Sequence, residues 1–576
     1  MRWGGLLVFA LALVTFAGAA LCGWTNWDDP LYVLENPRVL DTSFGALLRL
    51  WSFEDAHMGM FIEYFPLRDS VYWAVHRAFG VHPAPYHIVN MLLHGMCSAL
   101  VVALGGRLGF SPLASLLAGS VFAVHPVHCE SVVWISGLKD PLFTCLFLAS
   151  VLCYEPDGNG KRKYLTSFVL FVLSLLCKSI GFLLPVLLFA LAWRRRVLTR
   201  GSLLALLPFV VVSLMFLVNF IAIGHSNSVI LDHSSDGAVF EFITSLWCFV
   251  LYLSTQILPI NLYILHIINP VVKLDDIRGA ASLLICGCLA VGMLGLWVRH
   301  RTFAVLALWF VLFLLPVLNI IPIPILVAER YLYLPSVAYS LAVGAALGQL
   351  AMRSRALGTL AALVVLVGLG ARTVWRNEDW RGGSVSLWQG VVSQPTAAMV
   401  DSPWLQLGTA LLEEGRIAEG EQALLRAMAI QDSKRVLYAA LQHRRGSVHL
   451  QLGNAYLQAK RFDLAREHLN DAVGFNPRSA LAWNSLSMAE AESGDAKRAE
   501  HAANMAVQID GSLASARFNR GLARLDLGLL DEAIVDLAQA VDDDSRWCRK
   551  LSLWQRAVGE IPVAARIRAE VAPRCP

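Results

Sequence analysis

Over the first 375 residues the apolar positions do not recur on one helical face; they run in blocks. The blocks lie at about 6–21, 86–105, 112–126, 132–154, 201–223, 241–258, 279–298, 302–321, 331–350 and 356–374. Runs of this length predict helices that cross a membrane, since only lipid accommodates so much continuous apolar surface. The block 164–193 is too long for one crossing, because a single helix would extend about 45 Å against a hydrocarbon layer of about 30 Å. Basic clusters flank it (Lys161, Arg162 and Lys163; Arg194, Arg195 and Arg196), so both ends belong on the cytoplasmic side. It is therefore expected to be a hairpin of two short helices, with Cys177-Lys178-Ser179 at its tip.

The clusters Arg299-His300-Arg301 and Arg353-Ser354-Arg355 also read as cytoplasmic. Counting through them leaves 241–258 out of step. That run is expected to be re-entrant, or one half of a broken pair with 259–270. The count is then about eleven spans with the C-terminus outside; twelve, with the C-terminus inside, is the alternative. The first block is read as a retained span, although Ala17-Gly18-Ala19 resembles a signal-peptide cleavage site. A semi-polar loop follows at 23–85, with amphipathic helices expected around Phe44 to Phe53 and after Tyr64-Phe65-Pro66-Leu67-Arg68.

Beyond about 400 the pattern changes to small and apolar residues at helical spacing. Trp404, Leu407, Gly408, Gly415, Leu424 and Ala427 open a frame that recurs as Leu452, Gly453, Tyr456, Ala465, Leu469 and Ala472. Units at 446–479, 480–513 and 514–547 keep a 34-residue period, that of the tetratricopeptide repeat. A unit at 401–434 precedes them after an insertion near 435–445, and a cap helix is expected at 548–576. The fold class is thus all-α: a polytopic helical membrane domain (1–375), a linker (376–400) and an α-solenoid of repeats (401–576).

Composition agrees. The chain has 576 residues, is 56% hydrophobic and 16% charged, and its mean hydropathy is +0.57. A soluble globular protein is excluded. The net charge of +4 is too small for a nucleic-acid binder. The eleven cysteines show no metal-ligand spacing.

Charged residues within this apolar background are the candidates for chemistry. Asp28 and Asp29 follow the first span directly. They either cap a short helix starting at Pro30 or supply a base for a hydroxyl acceptor. His125, His128 and Glu130 lie between two spans on the same face; they could ligate zinc, but no fourth ligand stands out, and an interfacial substrate cluster is favoured. Lys139 and Asp140 read by default as a salt bridge. Lys178 and Arg330 are the candidate cations, each able to neutralise a carboxylate or, together, to hold a phosphate. His87, Asn90 and His94 share a helical face, where interhelical hydrogen bonding is the expected role.

As a set, Trp27-Asp28-Asp29-Pro30-Leu31-Tyr32-Val33-Leu34-Glu35-Asn36-Pro37, Tyr86 to His94, His125 to Val132, Lys178 and Ala328 to Pro335 resemble a known family. It is that of the transmembrane and tetratricopeptide repeat O-mannosyltransferases and their prokaryotic relatives, within the glycosyltransferase C superfamily. The resemblance covers nearly the whole chain. It implies a sugar on a polyprenyl phosphate as donor, Asp28 as the catalytic acidic position and Asp29 as its neighbour, and Glu130 as an acid of the second outer loop. It implies that Lys178 and Arg330 contact the donor phosphate, with His125, His128, Lys139, Asp140, Tyr331 and Tyr333 around the substrate. The departures are Leu138-Lys139-Asp140, where relatives often have Arg before the Asp, and Lys178-Ser179, where some have Lys-Glu.

The expected protein is then a multi-pass membrane hexosyltransferase acting on a Ser/Thr or glycan hydroxyl outside the cytoplasm. Its acceptor would lie in the repeat groove, and no cofactor is expected, a divalent metal being disfavoured. An Ala/Leu/Arg-rich composition leans towards a prokaryotic inner membrane, with the endoplasmic reticulum as the eukaryotic counterpart. The rivals are a non-enzymatic repeat scaffold and a lipid-linked sugar flippase. Outside the cytoplasm, a Cys548–Cys575 disulfide is expected to staple the last helices.

Overall fold

The computed structural model describes residues 2–52, 64–155, 160–226, 238–273, 275–320, 325–433, 438–543, 547, 548, 550–552 and 562–574. All the regular structure among these residues is helical. They form two compact units, Met1–Thr396 and Ala397–Pro576.

In the first unit, each of the eleven expected apolar segments contains a helix, from Arg2–Thr15 to Arg355–Arg381. Seven described helices are long and apolar enough to cross a membrane, or eight if the bent pair Pro112–Val124 and Pro126–Val133 is one span. The expected hairpin segment is divided into two helices, Lys161–Leu175 and Leu184–Arg195, with Lys178 in the non-helical break between them. The broken pair expected of 241–258 with 259–270 is corrected. The first run lies in one unbroken helix, Ala238–Ile257, long and apolar enough to cross a membrane. The stretch 259–270, which opens on Pro259, is not helical.

Small residues allow a close helix approach. Gly344 and Gly348, four apart on Pro335–Arg353, face Ala118 and Ala114 of Pro112–Val124. A Cβ on Gly344 would fall 2.6 Å from Ala118 Cα, and one on Gly348 would fall 2.7 Å from Ala114 Cβ. In lipid, where burying apolar surface drives little association, such backbone proximity supplies the packing energy. The loop after the first span carries the helices Phe44–Arg49 and Pro66–Phe79; Phe53 lies outside the described residues. The stretch 376–400 is not an open tether. It contains the end of Arg355–Arg381 and the helix Gly383–Val392.

The second unit contains four helix pairs: 401–413 with 417–433, 438–458 with 462–475, 480–492 with 496–509, and 514–526 with 530–543. The described end of the insertion, from Tyr438, extends the first helix of the second pair. The turn within each pair needs a left-handed residue, supplied by Gly415, Gly494 and Gly528 and, at some strain, by Lys460 with φ 57°. Three of the four pairs close by seating a leucine over a glycine. A Cβ on Gly408 or Gly521 would meet Leu424 or Leu537 Cγ at 2.6 or 2.8 Å, and Gly453 meets Leu469 likewise. In the third pair the same positions are Ser487 and Ala503, both buried. The larger residue on one helix is offset by a smaller one opposite.

Cys548 is disulfide-bonded. Its expected partner, Cys575, lies outside the described residues, as does part of the expected cap helix, of which Pro562–Glu570 is described.

Candidate active site

Asp29 is fully buried, and its carboxylate is saturated. One oxygen accepts from the Thr25 backbone N–H (2.8 Å) and hydroxyl (2.9 Å). The other accepts from the Ser136 backbone N–H (3.0 Å) and hydroxyl (2.5 Å). The side chain thus ties the first loop to the connection between two later helices. Burial raises its pKa, while the bonds from Ser136 and Thr25 oppose the rise. The helix-cap expectation is corrected for Asp29. Its backbone is α-helical, and its side chain makes no cap bond to the short helix at Pro30.

This anchor fixes Trp27 and Asp28. Trp27 stacks on Trp134 at 5.0 Å and meets Trp388 edge-on at 5.4 Å. Trp134 Nε1 in turn donates to Thr25 Oγ1 (3.1 Å), and Trp388 Nε1 donates to Asn26 Oδ1 (2.9 Å). The Arg330 guanidinium lies over this aromatic wall, 5.6 Å from the Trp27 and Trp134 rings and 5.2 Å from Tyr331. Asp28 is half-buried. Burial works against the charge on Arg330. The fields of Glu130, Tyr331 and Asp28 outweigh it and hold the guanidinium well above its usual range.

Arg330 is paired. Its guanidinium and its backbone N–H (2.8 Å) both donate to the fully buried Glu130. Lys178 donates to Asp140, which also accepts from Ser131 Oγ (3.2 Å). The default pairing of Asp140 with Lys139 is therefore corrected, since the partner comes from the hairpin tip. The Lys139 ammonium lies 5.9 Å from the Tyr32 ring. Asp140, Lys178, Arg330, Tyr331, Thr144 and Leu334 line one small cavity. A second cavity, among Leu104, Arg107, Tyr154, Arg194 and Arg195, contains none of the expected site residues.

The structure places His125, His128 and Tyr333 elsewhere, in the buried core. His125 Nε2 contacts Gln256 O (3.0 Å), His128 Nε2 contacts Ser336 Oγ (2.7 Å), and Tyr333 OH contacts His94 Nδ1 (2.8 Å). None of the three lines the Lys178 cavity. The expected interhelical bonding on the His87 face holds for His94 and for Asn90, which donates to Trp134 O (2.8 Å). Sequence reading missed the supports Thr25 and Ser136, which no motif marks. It also missed Arg376, whose guanidinium lies 3.6 Å from the buried Glu329 carboxylate.

A tetratricopeptide repeat family model matches residues 450–514. A protein O-mannosyl-transferase of Caenorhabditis elegans is 23% identical over 447 residues, covering 74% of this chain and 63% of that protein. The chain is similar to the protein O-mannosyl-transferases. A human protein O-mannosyl-transferase is 32% identical over 205 residues, 31% of this chain and 28% of its own length. The chain therefore spans less than two thirds of these O-mannosyl-transferases. Among solved structures, ArnT from Cupriavidus metallidurans, bound to undecaprenyl phosphate, covers 87% of this chain and 79% of its own at 14% identity, with a TM-score of 0.39. MamA covers 31% of this chain and 96% of its own at 18% identity, with a TM-score of 0.25.

Proposed function

We propose that this protein is an integral membrane glycosyltransferase that moves a hexose, mannose by its likeness to the named transferases, from a polyprenyl-phosphate donor. The acceptor is a Ser/Thr hydroxyl of a protein, or a glycan hydroxyl, on the extracytoplasmic side. The observation that carries the reading is the pair of cations, Arg330 and Lys178, that line one cavity, with the charge of Asp28 acting on Arg330.

At rest each cation faces a carboxylate, Arg330 on Glu130 and Lys178 on Asp140. An unpaired buried cation would be costly, so pairing keeps the site charged and folded without substrate. A donor phosphate entering the cavity meets both groups at its wall. As the sugar leaves, they stabilise the charge that builds on the phosphate. Asp28 accepts the acceptor's hydroxyl proton as that oxygen attacks the anomeric carbon, and direct displacement inverts that centre. Asp29 is a positioning residue, because its lone pairs are already committed. The repeats hold an extended acceptor segment in the groove that stacked helix pairs form.

Purified protein is incubated with a panel of polyprenyl-phosphate hexoses and a Ser/Thr-rich peptide. Asp28→Asn is expected to lower transfer by about 10²–10⁴-fold, the usual worth of a general base, with unchanged melting. Retained transfer by that variant rejects the assignment. Protease access to the repeats from the cytoplasmic side would favour the scaffold reading, and movement of lipid-linked sugar without product would favour the flippase.

A further inference from the structure

His449 lies on Tyr438–Gln458, and His468 and Asp471 lie three apart on the antiparallel helix Phe462–Phe475. A three-residue spacing puts both side chains of the second helix on one face, towards the first. His449 Nδ1 is 3.2 Å from His468 Nδ1 and 3.4 Å from Asp471 Oδ2. All three ligand atoms lie within 4.8 Å of one another.

Two neighbouring imidazole nitrogens and a carboxylate form a donor set. With zinc–nitrogen bonds of about 2.0–2.1 Å, ligands on a tetrahedron stand about 3.3 Å apart. The two close distances match that edge. The rings are also held: His468 stacks on Tyr456 at 5.5 Å with an 8° interplanar angle, and His449 packs on Phe475 at 5.3 Å. Asp471 is 52% exposed, so water can reach the remaining position.

The repeat frame does not require these residues. One period later the same three positions hold Trp483, Ala502 and Met505, and two periods later Arg517, Asp536 and Gln539. Arg445 lies close enough to oppose a cation, but Asp471 and Glu467 act on the same histidine with the opposite sign.

We propose that His449, His468 and Asp471 bind one divalent transition-metal ion, zinc by geometry, which staples the two helices and keeps a water-filled fourth position. Binding requires the imidazoles to be neutral and displaces no other bond in the repeat core. The site is independent of the proposed transfer reaction in the membrane unit.

The test uses the full chain in detergent, with any affinity tag removed and metal stripped by a chelator. Zinc is titrated against a chromophoric chelator, and cobalt is added separately for its visible absorption. One zinc per chain, a tetrahedral cobalt spectrum and a zinc-dependent rise in melting temperature are expected. His468→Ala is expected to abolish binding. Asp471→Asn, at an exposed position that leaves folding intact, is expected to weaken it at least tenfold and to remove the melting shift. No stoichiometric zinc on the native chain, or equal binding by Asp471→Asn and the native chain, overturns the proposal.

Discussion

Asp29 Oδ1 accepts from both the backbone N–H and the hydroxyl of Ser136, 107 residues along the chain. This one carboxylate oxygen pins the first loop to the connection between two buried helices. Removing the hydroxyl with Ser136→Ala is expected to destabilise the membrane unit by about 1–3 kcal/mol, the cost of losing a bond to a buried charge. Thermal melting in detergent measures it.

The same carboxyl gives a pH signature. Burial lifts its pKa above 3.8 against the bonds from Ser136 and Thr25, so the folded chain binds the proton more tightly than the unfolded one. Its contribution to stability is greatest below 3.8 and declines as pH rises through the lifted value. The melting advantage of the native protein over Asp29→Asn should therefore shrink from about pH 4 towards neutrality. An advantage that grows over that range contradicts the assignment.

Glu130 and Arg330 are expected to be strongly coupled. Glu130→Gln leaves a guanidinium buried without its counter-charge, a loss of about 3–5 kcal/mol. Arg330→Met strands the carboxylate instead. The double variant should regain much of the stability of either single one while remaining inactive, and unfolding measurements on all four proteins give the coupling energy.

Lys178 and Asp140 should move donor affinity in opposite directions. Lys178→Met removes a charged contact worth about 1.5–3 kcal/mol, so KM for the polyprenyl-phosphate sugar should rise at least tenfold. Asp140→Asn removes the carboxylate that competes with the phosphate, and its KM should stay level or fall. Initial rates against donor concentration separate the two; a matching rise in both variants would mean that the pair acts only in folding.

The repeats carry their own control. Gly453→Ser should overpack against Leu469 and cost about 1–3 kcal/mol. Adding Leu469→Ala recreates the Ser487 and Ala503 pair of the next repeat and should recover part of the loss. Chemical denaturation of the full chain reports both.

Much of the architecture was legible in the chain itself. Apolar blocks marked the helices of the membrane unit because lipid imposes continuous apolar length. Basic clusters at both ends, with the length between them, marked 164–193 as two helices rather than one. The 34-residue period defined the repeats, because the spacing of small residues is itself the packing rule. The broken pair of 241–258 with 259–270 did not form: the first is one continuous helix that ends before Pro259, and the second is not helical.

The motifs also brought Asp28, Asp29, Glu130, Asp140, Lys178 and Arg330 to notice, but not their partners. Only the tertiary structure decided that Lys178 takes Asp140, that Arg330 takes Glu130, and that Asp29 spends its lone pairs on Thr25 and Ser136. It also sent His125, His128 and Tyr333 into the core. Helix formation is local and leaves a periodic signature; ion pairing depends on which helix ends meet across hundreds of residues, and no spacing along the chain encodes that.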